Sequence, residues 1–307
     1  MRKFLMQRAG LAIPTVIGAV TFCFILVRLL PGDPARAIAG PQATPAQVAH
    51  LRAQIGLDGT WIQQYAFYVT HLVRGDLGYS SVSGQPVLTE IASHLPYTAE
   101  LAFCAIALSL VAGVLLGTIA ASRPQSIVDT LIGGLSVIGV SIPVYWTGLL
   151  LVLVFAVDLR VLPAAGASGW QSLILPSVTL SLFPLAFIAR QTRSAMVGAL
   201  GEDYARTATA KGASWPRLVF RHALRNAAVP IVTVTGLELG QLLGGAILTE
   251  TVFAWPGLGQ LLVQSIAARD FQVVQGIVLV FALILIVVNL ATDVAYGLLE
   301  PRLRHGR

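Results

Sequence analysis

FQVVQGIVLVFALILIVVNLAT, Phe271 to Thr292, runs 22 residues without a charged side chain. About 20 apolar residues in a helix cross the hydrocarbon of a bilayer, so this stretch reads as a membrane span. Moving outward from it, the charge-free intervals 9–27, 101–122, 130–157 and 161–189 have the same character. A sixth apolar region, 226–249, is interrupted only by Glu238. Charged residues make up 11% of the 307, where a soluble domain carries about 25%. The fold class expected is therefore all-α: a polytopic membrane protein with six transmembrane helices.

Orientation follows from the bias of Lys and Arg toward the cytoplasm. With the N-terminus inside, fourteen of the twenty basic residues fall inside, among them Arg2, Lys3, Arg123, Arg193, Arg206, Lys211 and Arg302. Both termini are then cytoplasmic, as an even number of spans requires. The net charge of +6 reflects this bias and carries no sign of nucleic acid. Cys23 and Cys104 fall inside spans and read as small apolar residues rather than a disulfide. Arg2, Lys3 and Arg8 precede an apolar run like that of a signal peptide. The run is long, however, and no small-x-small cleavage site precedes Arg28, so it reads as an uncleaved first helix.

The domain organisation expected is a cytoplasmic N-terminus with the first span (1–30), an extracytoplasmic region (31–95), a five-helix core (96–300) and a cytoplasmic tail (301–307). In the second region, Pro31-Gly32-Asp33-Pro34 ends the first span abruptly. Helix-like stretches follow at Pro45–Ile55 and Trp61–Val73, then a turn signal at Gly75-Asp76-Leu77-Gly78. The core's first helix, about Tyr97–Ala121, carries Gly113-x-x-x-Gly117, a motif for close helix packing. Ile142-Pro143 predicts a kink in the next, about Thr130–Val157. The remaining three are expected at about Leu173–Arg190, Ala227–Leu248 and Val273–Leu299. Ala254–Gly259 and Arg269-Asp270 are expected in the last outer loop.

The longest polar run between apolar ones in the second half is Glu202 to Asn226, EDYARTATAKGASWPRLVFRHALRN, within the inner loop 191–228. Its first part is made of helix formers and small residues and stops at Gly212, suited to the position just after a helix. Ser214 then offers a cap for a second helix with Pro216 in its first turn. Arg217, Arg221 and Arg225 share one face of that helix at α-helical spacing. They suit either anionic lipid headgroups or a protein partner. A short helix, a glycine break and a second basic helix outside the lipid make a docking surface.

Between Ala227 and Leu248, Gly236, Gly240 and Gly244 recur every four residues, a seam where another backbone approaches. Glu238, Gln241 and Gly245, with Thr235, point away from that seam, so packing on one side and a wet pathway on the other is the expectation. A carboxylate in mid-span reads either as a pathway or proton-relay group or as a protonated residue packed against Gln241. Only Lys3 and Lys211 are lysines and neither follows a glycine, so no P-loop exists. His50, His71, His94, His222 and His305 lack ligand spacing, and no zinc-protease motif is present. No catalytic residue and no metal site is expected; the nearest thing to a nucleophile motif, Gly139-Val140-Ser141, lies in an apolar helix without a nearby base.

Asp203-Tyr204-Ala205-Arg206-Thr207-Ala208-Thr209-Ala210-Lys211-Gly212, followed by Arg221-His222-Ala223-Leu224-Arg225-Asn226 and Pro230, resembles the cytoplasmic signature of ABC importer permeases. The resemblance is to the dipeptide, oligopeptide and nickel branch and covers nearly the whole chain. Thr249-Glu250-Thr251-Val252-Phe253, Pro256-Gly257-Leu258-Gly259 and Arg269-Asp270-Phe271 are similar to that family's landmarks, in order. The wider signature, E-A-A-x-x-x-G, is met here by Arg206, Thr207 and Ala208 before Gly212, so its glutamate is absent.

The resemblance implies a type I ABC importer permease fold in a bacterial-type inner membrane. It implies a coupling helix at Glu202–Gly212, seated in a groove of a separate ATPase subunit and assisted by Arg221, His222, Arg225 and Asn226. Two ATPase subunits would bind the ATP and Mg, leaving this chain without a cofactor. A second homologous permease would share the pathway, and an extracytoplasmic solute-binding protein would deliver cargo to the region 31–95. The cargo implied is a di- or oligopeptide, with a nickel chelate or glutathione as alternatives. A gradient-driven carrier using Glu238 is the rival from another class.

Overall fold

The computed structural model describes residues 2–29, 34–40, 42–54 and 56–299, and their regular elements are helical. α1 (Arg2–Leu29), α2 (Pro34–Ala39), α3 (Pro45–Gln54) and α4 (Trp61–Val73) precede the long α5 (Val87–Ser122). α6 (Ile127–Ser141) and α7 (Val144–Leu151) follow, the latter prolonged by a π-helical turn at Val152–Asp158. α8 (Trp170–Gly201) leads to α9 (Asp203–Ala210) and the single turn α10 (Trp215–Arg217). A second π-helical turn, Leu218–Ala223, carries α10 into α11 (Leu224–Val252), before α12 (Leu258–Ala267) and α13 (Phe271–Leu299). The expected turn at Pro31–Asp33 and the tail 301–307 lie outside the described residues.

Among the described residues four helices are long and apolar enough to cross a membrane alone: Val87–Ser122, Trp170–Gly201, Trp215–Gly244 and Phe271–Ala295. α6 and α7 with its π turn form a fifth, broken element. α1, 28 residues long with its apolar stretch at Ala12–Ile25, is the remaining member of the six-span reading.

Three expectations are corrected. The third span is not one kinked helix: its halves meet at 102°. Pro143 has no N–H to continue α6 and forces Ile142 into extended backbone (ψ 126°). The second basic helix is not separate from the fifth span, because the π turn bridges them without a break. The last outer loop contains a helix of its own, α12, entered at Gly257.

The chain divides into two compact units, 1–8 with 99–255 and 288–307, and 9–98 with 256–287. In the first, α8 is central: 61% of its apolar window is buried, against 39% for the window of α5. Its partners approach through small residues. A Cβ on Gly117 would lie 2.4 Å from the Ala189 carbonyl, and one on Gly113 would lie 2.9 Å from Ile188. The Gly113-x-x-x-Gly117 motif therefore does what its spacing predicts. The Ser109 hydroxyl, 2.7 Å from its own Ala105 carbonyl, also reaches the Ser181 carbonyl of α8 at 2.8 Å. Gly148 of α7 fits against Phe253 and Thr179. Outward-facing positions such as Leu131, Leu135, Trp146 and Leu149 stay exposed, as an apolar exterior in lipid requires.

In the second unit, Val20 and Cys23 of α1 and Leu279 of α13 pack with Tyr65, Tyr68 and Leu72 of α4. The Phe24 and Tyr65 rings meet edge-on at 5.1 Å. α4 starts with a capping box between Thr60 and Gln63. The turn after it uses Gly75 and Gly78 at φ +78° and +81°. Asp270, just ahead of α13 and 2% exposed, accepts the Ser80 hydroxyl at 2.5 Å. Thr98 accepts the amide of Leu258 at 2.7 Å at the start of α12.

Candidate functional site

The elbow after α8 is built from local rules. Glu202 breaks α8 by turning extended (ψ 155°) and stands at the N-cap of α9. At the other end, Gly212 donates its amide to the Thr209 carbonyl at 2.9 Å and Ala213 to the Ala208 carbonyl at 3.0 Å. That pair of bonds is the Schellman stop, with Gly212 at φ +81°. Ser214 occupies the N-cap of α10, Pro216 lies in its first turn, and the Ser214 side chain makes no cap bond.

Burial sorts the loop residues. Ala205 is 2% exposed and faces its own chain, so it is not a surface offered to a partner. Tyr204 packs on the cluster of Met196, Val219, Ala223 and Ala227, and its hydroxyl is buried without a hydrogen-bond partner. Ala208 and His222 are half-buried, whereas Glu202, Asp203, Arg206, Thr207, Lys211, Gly212, Arg221, Arg225 and Asn226 are exposed. Arg206 and Asp203 lie 3.7 Å apart, both in solvent, a pair that contributes little to stability. Beneath α9 a hollow of about 680 Å³ is lined by Arg206, Thr209, Val197, Ser122 and Trp215, among others. Arg217, Arg221 and Arg225 are all exposed, but the π turn between them widens the helix and skews the straight row that α-helical spacing predicts.

One clamp above the elbow joins two charges that no local sequence pattern pairs. Arg193 of α8 holds Asp129 of α6 with both forks of its guanidinium, Nε as well as Nη2, the latter 2.6 Å from Oδ2. Asp129 also accepts the Gln125 amide at 2.9 Å, and the Asp129 amide donates to the Ser126 hydroxyl at 3.2 Å. The side chain of Asp129 is 7% exposed and that of Arg193 37%.

In α11 the seam and stripe are partly as expected. A Cβ on Gly236 would come within 2.2 Å of Thr292 of α13, whereas Gly244 meets nothing within 4 Å inside the chain. Glu238 is not on a wet surface: it is 5% exposed, and its Oε2 is buried without a hydrogen-bond partner. It lines a cavity of about 210 Å³ with Val144, Leu180, Phe183, Pro184, Gln241 and Leu242. Gln241 is exposed. The Thr235 hydroxyl donates back to the Ile231 carbonyl at 2.8 Å. Gly245 continues α11.

Apolar helices held together by small residues, with a polar elbow standing off their ends, are the build of a polytopic membrane protein. The chain belongs to the inner membrane component family of binding-protein-dependent transport systems: that family's model matches residues 113–305, and the model of its N-terminal part matches 1–102. The protein is thus an inner membrane component. It is 40% identical to the dipeptide transport system permease protein DppB of Escherichia coli K12, covering 99% of both chains. It is 45% identical to the glutathione transport system permease protein GsiC of Salmonella typhimurium LT2, covering 99% of this chain and all of that one. An inward-facing structure of the MetNI methionine ABC transporter aligns with a TM-score of 0.59 over 68% of this chain and 96% of that one. At 19% identity that likeness shows a shared fold.

Proposed function

We propose that this chain forms half of the translocation pathway of an ATP-driven importer of short peptides, and that α9 is its coupling helix. The observation that carries the reading is the elbow: a short helix, ended by a Schellman stop, whose charged residues are exposed while Tyr204 and Ala205 are packed against its own chain. A rigid exposed helix after two long apolar ones is suited to a groove in a partner that moves on binding nucleotide. Arg206, Thr207, Lys211 and Gly212 form the contact, and Arg221, Arg225 and Asn226 flank it.

In this reading two ATPase subunits bind ATP and Mg, a second related permease completes the pathway, and a solute-binding protein docks on the region 31–95. Both termini are then cytoplasmic. The near-complete alignments with permeases named for dipeptides and for glutathione, itself a peptide, support peptide cargo.

The test is uptake by proteoliposomes holding the full assembly. Arg206→Glu inverts the charge of the contact and is expected to lower ATP-driven peptide uptake at least roughly tenfold, equivalent to about 1.4 kcal/mol, with the assembly still in the membrane. Uptake by this chain alone, driven by a proton gradient and indifferent to ATP, would sink the proposal and leave the gradient-driven carrier standing.

A further inference from the structure

The cavity at Glu238 is lined by residues of three helices, α7, α8 and α11. Glu238 is 5% exposed and its Oε2 has no hydrogen-bond partner, and desolvating an unpaired charge costs several kcal/mol. A cation entering the cavity would relieve that cost. Ca²⁺ and Mg²⁺ take six or more oxygens and Zn²⁺ mostly nitrogen and sulfur, whereas the lining side chains offer oxygens only from Glu238 and Gln241. A primary ammonium asks for about three acceptors. Pro184 has no amide to offer the Leu180 carbonyl one turn back in α8, and Leu180 is among the residues that line the cavity. The two Glu238 oxygens and the Gln241 side-chain oxygen, both residues lining the cavity, make a set of the right number.

Size agrees. A water occupies about 30 Å³, so about 210 Å³ holds an aminomethyl group with part of the residue that bears it. The apolar remainder, Val144, Phe183 and Leu242, suits the methylene beside the nitrogen. The exposure of Gln241 beside the buried Glu238 marks the mouth of the cavity.

We infer that the Glu238 cavity is a transit subsite that takes the primary ammonium group of the cargo, its free N-terminus. This rests on the peptide-importer reading and adds to it which end of the peptide this chain handles. The consequence for selection is specific: a blocked amine cannot use the subsite, however well the rest of the peptide is delivered.

Two measurements on the full assembly test it. In the first, a hydrophobic carbodiimide labels Glu238 of the wild-type assembly and mass spectrometry follows the rate. Methylammonium is expected to slow labelling at least about fivefold, while acetamide, of similar size but neutral, does not. Equal protection by both, or by neither, overturns the inference. In the second, uptake of dialanine and of glutathione, normalised to assembled complex, is compared for wild type, Glu238→Asp and Glu238→Gln. Gln keeps the shape and drops the charge. A residue that merely packs would tolerate it, since removing a buried unpaired charge relieves the fold. Loss of uptake in Glu238→Gln by at least roughly tenfold, or about 1.4 kcal/mol, with partial recovery in Glu238→Asp, is the expected result. Undiminished uptake in Glu238→Gln overturns the inference. Failure of the wild type to take up either peptide with ATP sinks the functional reading instead, so the two failures are distinct.

Discussion

The α5–α8 contact and the elbow that follows α8 are near neighbours along the chain, yet they are held by opposite means. The contact is dry and depends on what is missing: at Gly113 and Gly117 a single methyl group would collide with backbone or side chain of α8. The elbow is wet and depends on what is present, two amide bonds that stop α9 and a glycine in the left-handed region. Lipid offers no hydrophobic drive for helices to associate, so close fit has to hold them. Water offers no fit at all, so local hydrogen bonding has to shape the loop. One region carries the stability of the subunit; the other carries a shape to be recognised.

That contrast breaks most readily at Gly117. Gly117→Val should push α5 off the Ala189 carbonyl and cost about 3 kcal/mol, seen as loss of folded subunit in membrane fractions. A protein of normal abundance and melting temperature would show that the contact is loose. Next comes Asp129→Asn, which removes one side of the clamp to Arg193. Because Arg193 is 37% exposed, water takes over part of the lost interaction, and the fall in Tm should be clear but smaller than for Gly117→Val. Arg193→Lys keeps the charge and loses the fork, so it should fall between Asp129→Asn and wild type.

Gly212→Ala forces an L side chain to φ +81° and should cost about 1 kcal/mol, confined to the elbow. Faster hydrogen exchange at Gly212 and Ala213, with α5 and α8 unchanged, would verify it. At the small end, Arg206→Ala should leave Tm unmoved, since its partner Asp203 is equally bathed in solvent, while lowering ATP-driven uptake. A stability loss there larger than at Gly212 would erase the distinction between the two regions.

Much of this was legible in the residues because single-residue rules governed it. Charge-free length located the spans, Gly113-x-x-x-Gly117 located the tightest contact, and Gly212 located the stop of α9. Failures came where the outcome depends on a neighbour in space. Ile142-Pro143 announced a bend, but whether a proline kinks a helix or turns it through 102° depends on what α8 and α11 leave room for. The π turn at Leu218–Ala223 has no sequence mark, and so the arginine row was drawn too straight. The face of α11 that bears Glu238, expected to be wet, is enclosed, because α7 brings Val144 beside it after the break. The Asp129–Arg193 clamp joins residues 64 apart in sequence, beyond the reach of any local pattern.

The unbroken passage from Trp215 through the widened turn into α11 has a mechanical consequence. From Trp215 to Val252 the backbone is one helical run of about 57 Å at 1.5 Å per residue, with Pro230 inside it and no loop to absorb torque. Tugging its lower end by a few ångströms must swing or twist the segment that bears Glu238, as a crank turns its shaft. The joints in that shaft are the π turn and Pro230, both on the elbow side of Glu238, which fixes where such a stroke would be damped.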